Sequence, residues 1–213
     1  VLVSGRTEAM LKYKEVVHDL WHNGFSVYIH DHRGQGHSAR EPAVRDTPDI
    51  GHVERFDDFV ADLDAWITGE VLPAGHARVF LWAHSMGGAI TARWLQSGRP
   101  SVAQVQAAVL SSPMLEIVGL VPGFSAEILS CNLAHAAVLF GAGASWHWGG
   151  RPYAPFPAQG NIYTSSPVRR NITVDAMAMP AAAISKGTHR CQRRSRWRSD
   201  ERPQPIMKKQ PAR

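Results

Sequence analysis

A serine hydroxyl can attack a carbonyl carbon only where the backbone lifts it clear of its neighbours. Residues 79–95, VFLWAHSMGGAITARWL, hold one serine in such a setting. An apolar run of strand type ends in Ala83-His84-Ser85-Met86-Gly87-Gly88 and passes directly into the helical pattern Ala89–Leu95. A serine on a sharp strand-to-helix turn, with small residues two before and two after it, is the layout of a nucleophile elbow. Ala83 and Gly87 supply the small residues that let strand and helix pass closely. The same turn sets the Met86 N–H at a helix start, where it can point at a developing oxyanion with the helix dipole behind it.

Such a serine needs a histidine base, and the base needs a carboxylate to fix its tautomer. In elbow proteins the chain order is serine, acid, histidine. After Ser85 the histidines are His135, His147 and His189, and the acids preceding one of them are Glu116, Glu127 and Asp175. Asp175 with His189 is the best-placed pair, although no strand pattern precedes Asp175 or separates the two.

Other chemistry finds less support. His30, His32 and His37 cluster around Asp31, but there is no HExxH and no cysteine partner, so no metal is expected. Gly34-Gln35-Gly36 lacks the third glycine of a dinucleotide loop, and no helix opens on it. Cys131 and Cys191 have neither metal nor disulfide spacing and read as unpaired thiols in a reducing compartment. No cofactor is expected. Of the chain's net charge of +5, residues 186–213 carry ten Lys and Arg against two acids, leaving thirteen against sixteen in residues 1–185. The body is therefore weakly acidic, and specific nucleic-acid binding is not expected of it. The tail RCQRRSRWRS (190–199), with Trp197 among its arginines, suits contact with an anionic surface.

The elements that must position Ser85 follow from periodicity. Residues 1–4 read as a buried strand, and Met10, Tyr13, Val16, Val17, Leu20 and Trp21 make a helical stripe closed by Asn23-Gly24. FSVYIH (25–30) reads as a second strand ending in the Gly-rich loop 31–38. Residues 54–70 form an amphipathic helix with Phe56, Phe59, Val60, Leu63, Trp66 and Ile67 on one face. VQAAVLSS (105–112) is a fourth strand after the elbow strand. Strands alternating with helices predict a parallel sheet covered on both faces. Residues 113–170 are apolar with helical stretches, either an insertion over the sheet or further core helices. Residues 172–213 lose apolar periodicity and read as a divergent, disordered basic tail.

The stretches VLVSGRTE (1–8), YIHDHRGQGHS (28–38), GHVERFDDFVADL (51–63) and LWAHSMGGAI (81–90) resemble, in order and spacing, the α/β-hydrolase superfamily. Within it they are similar to the bacterial lysophospholipase and monoacylglycerol lipase group of serine hydrolases, and SSPVRRN (165–171) is similar to the end of that group's cap. The resemblance implies a core over 1–112 and a helical cap over 113–171 that shapes an acyl-chain pocket. It implies hydrolysis of carboxylic esters of single-chain lipids, without a cofactor, by Ser85 as nucleophile. Ser4-Gly5-Arg6 stands where the group has His-Gly, which makes the Arg6 N–H the second oxyanion donor beside Met86. The resemblance covers residues 1–171, and beyond it the family's acid and histidine are not recognised. The expectation is therefore a chain truncated at both ends, with a tail such as a shifted reading frame gives. The expected location is the cytoplasm or the periphery of the inner membrane, with no targeting segment. The alternative is a catalytically inactive hydrolase fragment whose basic tail binds anions non-specifically.

Overall fold

The computed structural model describes residues 1–47, 49–115, 126–145 and 166. Three parallel strands form its sheet: β1 (Leu2–Val3), β2 (Phe80–His84) and β3 (Ala107–Ser111), in that spatial order. Leu2 aligns with Trp82 and Val3 with Ala83, and Phe80–His84 run in register with Ala107–Ser111. Expected strand 25–30 is reduced to one bridge, Ile29 beside Leu2, supported by the Leu2 N–H donating to Tyr28 O at 2.8 Å. The reason is its partner: β1 offers two residues before the chain turns out at Ser4-Gly5.

Alternation along β1 and β2 builds the two apolar layers. Val3, Leu81 and Ala83 face one side, where they pack with Phe59, Val60, Leu63 and Ile67 of the second helical segment and with Met86, Ile90 and Trp94. Leu2 faces the other side, with Tyr13, Ile29 and, half-buried, Trp82, Val16, Val17 and Leu20. The sheet is thus covered on both faces, as the strand–helix rhythm predicts.

Helix α1 (Lys14–His22) follows a 3-10 turn at Met10–Tyr13. It ends where the Gly24 N–H donates to Trp21 O (2.9 Å) and the Phe25 N–H to Leu20 O (3.0 Å), with Gly24 at φ +86°. This is a Schellman closure, which favours glycine at the left-handed position. Helix α2 (Phe56–Trp66) starts with Asp58 accepting from the Arg55 N–H and continues through a π turn to Val71. Helix α3 (Met86–Leu95) leaves the elbow and packs on α2. Fully buried Trp94 donates its indole N–H to Asp64 at 2.9 Å, and Asp64 also accepts from Ser101 and Arg99, tying α2 to the 3-10 turn before β3. Of the expected cap, α4 (Ala126–Leu139) is described and most of the remainder lies outside the described residues. Among the described residues no helix is long and apolar enough to cross a membrane.

Candidate active site

Between β2, which ends at His84, and α3, which begins at Met86, a single residue makes the turn. Ser85 makes it at φ +52°, ψ −120°. A non-glycine residue at positive φ is strained and persists only where its surroundings over-determine it. Here they do. The Ser85 N–H donates to Ser111 O at 3.1 Å, and Ser85 O accepts from the Gly88 and Met114 N–H groups, each at 2.9 Å.

Close backbone approach supplies the rest. A Cβ on Gly87 would sit 2.3 Å from Val3 O and 2.4 Å from Ser4 O, so only glycine lets α3 press against β1. A Cβ on Gly88 would meet Pro113 at 2.7 Å. Ala83, two before the serine, is fully buried.

The loop Ser4-Gly5-Arg6-Thr7 crosses beside the elbow, so close that a Cβ on Gly5 would lie 3.2 Å from Ser85 Cβ. The Gly5 N–H turns back to Glu8 Oε2 at 2.7 Å. Among the described residues the next N–H, that of Arg6, has no hydrogen-bond partner. The Met86 N–H is one of the four donors that a helix start leaves without an intrahelical acceptor. The Arg6 and Met86 N–H groups, next to Gly5 and to Ser85 in the chain, are thus main-chain donors able to receive an oxyanion.

Polar side chains hold this loop in shape. Thr7, a β-branched residue, stands at φ +56°. Its N–H donates to Gln35 Oε1, its hydroxyl to Arg6 O at 2.7 Å, and Gln35 Nε2 reaches Gly5 O at 3.5 Å. Glu8 accepts from Gly5, Tyr13 Oη and Lys12 Nζ, and its Oε1 lies 3.9 Å from His84 Nε2. Burial alone would push the Glu8 carboxyl up, but these donors outweigh it and hold it below the usual glutamate range. Burial, then the Glu8 carboxylate, pushes the Tyr13 hydroxyl up. From below, fully buried His32 donates its Nε2–H to Ser4 O at 2.9 Å.

The glycine-rich loop after Ile29 is a scaffold. Asp31 accepts from the Met10 (2.6 Å) and His37 (2.9 Å) N–H groups, and Gly36, at φ +48°, leaves room for that carboxylate. Arg33 clamps Asp62 of α2 with two bonds of 2.6 and 2.7 Å and reaches Glu41 at 3.0 Å.

Of the residues singled out from sequence, Ser85, Met86 and the Arg6 loop come together, while Asp175 and His189 lie outside the described residues. The brace of Glu8, Tyr13 and Gln35 was not among them. Its trace in the sequence is the spacing of Glu8 to Lys12 and Tyr13, four and five residues on. A groove of about 320 Å³ between Phe56, Ala89, Ala92, Met114 and Leu115 lies on the outer side of α3 and is lined by neither Ser85 nor the loop.

A family model described as serine aminopeptidase, S33 (Hydrolase_4), matches residues 1–183. The chain is 43% identical over 156 residues to lysophospholipase L2 of Escherichia coli (strain K12), covering 72% of this chain and 44% of that protein. It is 36% identical over 118 residues to a probable lysophospholipase L2 of Haemophilus influenzae, covering 55% of this chain and 35% of that one. Among solved structures, a monoacylglycerol lipase of Paleococcus ferrophilus aligns at a TM-score of 0.47 and 24% identity, over 64% of this chain and 44% of that chain. The chain spans less than half the length of the curated relatives it matches.

Proposed function

Because the chain belongs to the serine aminopeptidase S33 family of α/β hydrolases, we propose that it is a carboxylic ester hydrolase of lysophospholipase or monoacylglycerol lipase type. The observation that carries this reading is the backbone of Ser85, held at φ +52° beside the Gly5 loop. Ser85 Oγ attacks the ester carbonyl carbon, and its proton passes to a histidine base. The carbonyl oxygen takes up the negative charge and is met by the Met86 and Arg6 N–H groups. Such donors act without reorganising, and removing one slows comparable enzymes by about 10²–10³-fold. Collapse of the tetrahedral intermediate expels the alcohol and leaves an acyl-serine, which water then releases. Asp175 and His189 are the pair assigned to fix and supply the base, and residues 113–171 are assigned the cap over the acyl chain. The name of the Escherichia coli relative supports a lysophospholipid substrate.

The test is hydrolysis of a short-chain p-nitrophenyl ester, then of lysophosphatidylcholine and a monoacylglycerol, by the chain beside Ser85→Ala and His189→Ala. Turnover should fall to background in Ser85→Ala and by a factor on the order of 10⁴–10⁶ in His189→Ala. Equal rates in the parent chain and Ser85→Ala, with cooperative melting in both, would establish a hydrolase-fold chain without a working base.

A further inference from the structure

Helix α1 carries two imidazoles one turn apart on its exposed side, far in sequence from the elbow. The His18 and His22 rings stand 4.0 Å apart between centroids, tilted by 40°. Residues four apart share one helix face, the spacing by which two helical histidines can grip one cation. Each ring is already oriented through its other nitrogen. His22 Nδ1 lies 2.9 Å from His18 O, and a carbonyl only accepts, so in the neutral ring Nδ1 carries the hydrogen and Nε2 the lone pair. His18 Nδ1 lies 3.4 Å from Asp19 Oδ1, which sets its tautomer in the same sense. A histidine whose Nδ1–H is held by a carbonyl or carboxylate is the usual form of a metal-ligating imidazole.

The setting also favours a cation. His22 is the last residue of α1, where the helix dipole presents its negative end, and Asp19 adds a carboxylate beside the pair. The Schellman closure at Gly24-Phe25 fixes this last turn. Four of the other described histidines are occupied or closed off: His32 is buried, His30 has both ring nitrogens buried, His76 Nε2 is bonded to Tyr28 Oη, and His52 Nε2 faces Glu54. Among the described residues no group of three or more His, Cys, Asp or Glu converges, so solvent would complete the coordination.

We propose that His18 and His22 form a surface site on α1 for a borderline divalent cation, bound through both Nε2 atoms. Imidazole pairs select Cu²⁺, then Ni²⁺ and Zn²⁺, over Mg²⁺ and Ca²⁺, which demand oxygen ligands. The site stands apart from the ester chemistry and needs none of it.

Trp21, its ring 4.6 Å from His22 and half exposed, is a built-in reporter. The experiment titrates Cu²⁺, and separately Mg²⁺, into the whole chain at pH 7.5, following tryptophan fluorescence and heat. One equivalent of Cu²⁺ should bind with quenching that Trp21→Phe largely removes. His18→Ala and His22→Ala should each weaken that binding by about 10-fold or more, with the melting temperature unchanged in metal-free buffer. Lys14→His combined with His18→Ala keeps the histidine count but sets the rings two turns apart, and should bind no better than His18→Ala. Copper binding unaltered in both single variants, equal binding in the displaced-pair variant, or no saturable binding in the parent chain would each overturn the assignment.

Discussion

The elbow and the Ser4–Thr7 loop, proposed to supply the second oxyanion donor, meet at Ser85, and each contains a residue at positive φ, Ser85 at +52° and Thr7 at +56°. They are held by different means. The elbow is wedged by main chain: Gly87 presses on the Val3 and Ser4 carbonyls, and Ser85 shares its own N–H and C=O with Ser111, Gly88 and Met114. The loop is held by side chains: Glu8 on the Gly5 N–H, Gln35 on Thr7, His32 on Ser4 O. Main-chain wedging has little freedom to relax. Side-chain struts depend on charge and protonation, and so can be weakened without dismantling the sheet.

The largest effect should come from breaking the wedge. In Gly87→Ala the added methyl would stand 2.3–2.8 Å from three backbone atoms of Val3 and Ser4, none at the end of a flexible side chain. Alanine's better helix propensity returns about 1 kcal/mol. Overpacking against backbone in a filled core costs typically 1–3 kcal/mol and sometimes more. The variant should lose about 2 kcal/mol of stability in urea unfolding, the upper end of that cost less the propensity gain. A midpoint within experimental error of the parent would show that the elbow does not depend on this approach.

Acid should attack the other side of the comparison. His30 and His32 pack edge to face at 5.2 Å, both nitrogens of His30 have no hydrogen-bond partner among the described residues, and burial pushes His30 down to about 3. Burial also lowers His32, although Ser4 O, Asp31, Asp62 and Glu8 pull it back. The unfolded chain takes up a proton at an ordinary histidine near pH 6.5, while folded His30 resists until about pH 3. Stability is therefore full above pH 6.5 and falls as pH drops through the window between the two values. His30 alone should account for roughly 2 kcal/mol of loss by pH 5. Denaturant midpoints measured from pH 8 to 4 should slope accordingly, and His30→Leu should flatten the slope. A slope unaltered in that variant would move the acid sensitivity elsewhere.

The same division explains what could be read in advance. Ser85, Ala83 and Gly87 were legible because wedged backbone leaves a compositional mark: only small residues fit. The two-faced sheet was legible from the order of strands alternating with helices. The struts were not. Glu8, Tyr13 and Gln35 act through contacts between a loop, a 3-10 turn and a distant loop, and polar residues there look no different from solvated ones. Strand 25–30 was overread because periodicity reports a suitable segment and says nothing of how short its partner is.

Glu8 gives the finest discrimination between the two regions. Glu8→Gln keeps the shape and one acceptor but removes the charge that Gly5, Lys12 and Tyr13 share. Hydrogen bonds to a charged acceptor are roughly twice as strong as neutral ones. Weakening the bond from Gly5 should let its peptide tilt, and the adjacent Arg6 N–H, the proposed second oxyanion donor, would then be aimed less well. The contribution lost is made in the transition state and not in the bound substrate. Ester turnover should therefore show a lower kcat, by about 10-fold, with KM nearly constant. The elbow meets this strut only through His84, 3.9 Å from Glu8 Oε1, so the unfolding midpoint should move much less than in Gly87→Ala. Amide exchange offers a readout independent of turnover: the Gly5 N–H should exchange faster in Glu8→Gln while amides of α3 keep their protection. Equal acceleration in loop and helix would mean that the two regions open as one unit, and the distinction between wedge and strut would fall.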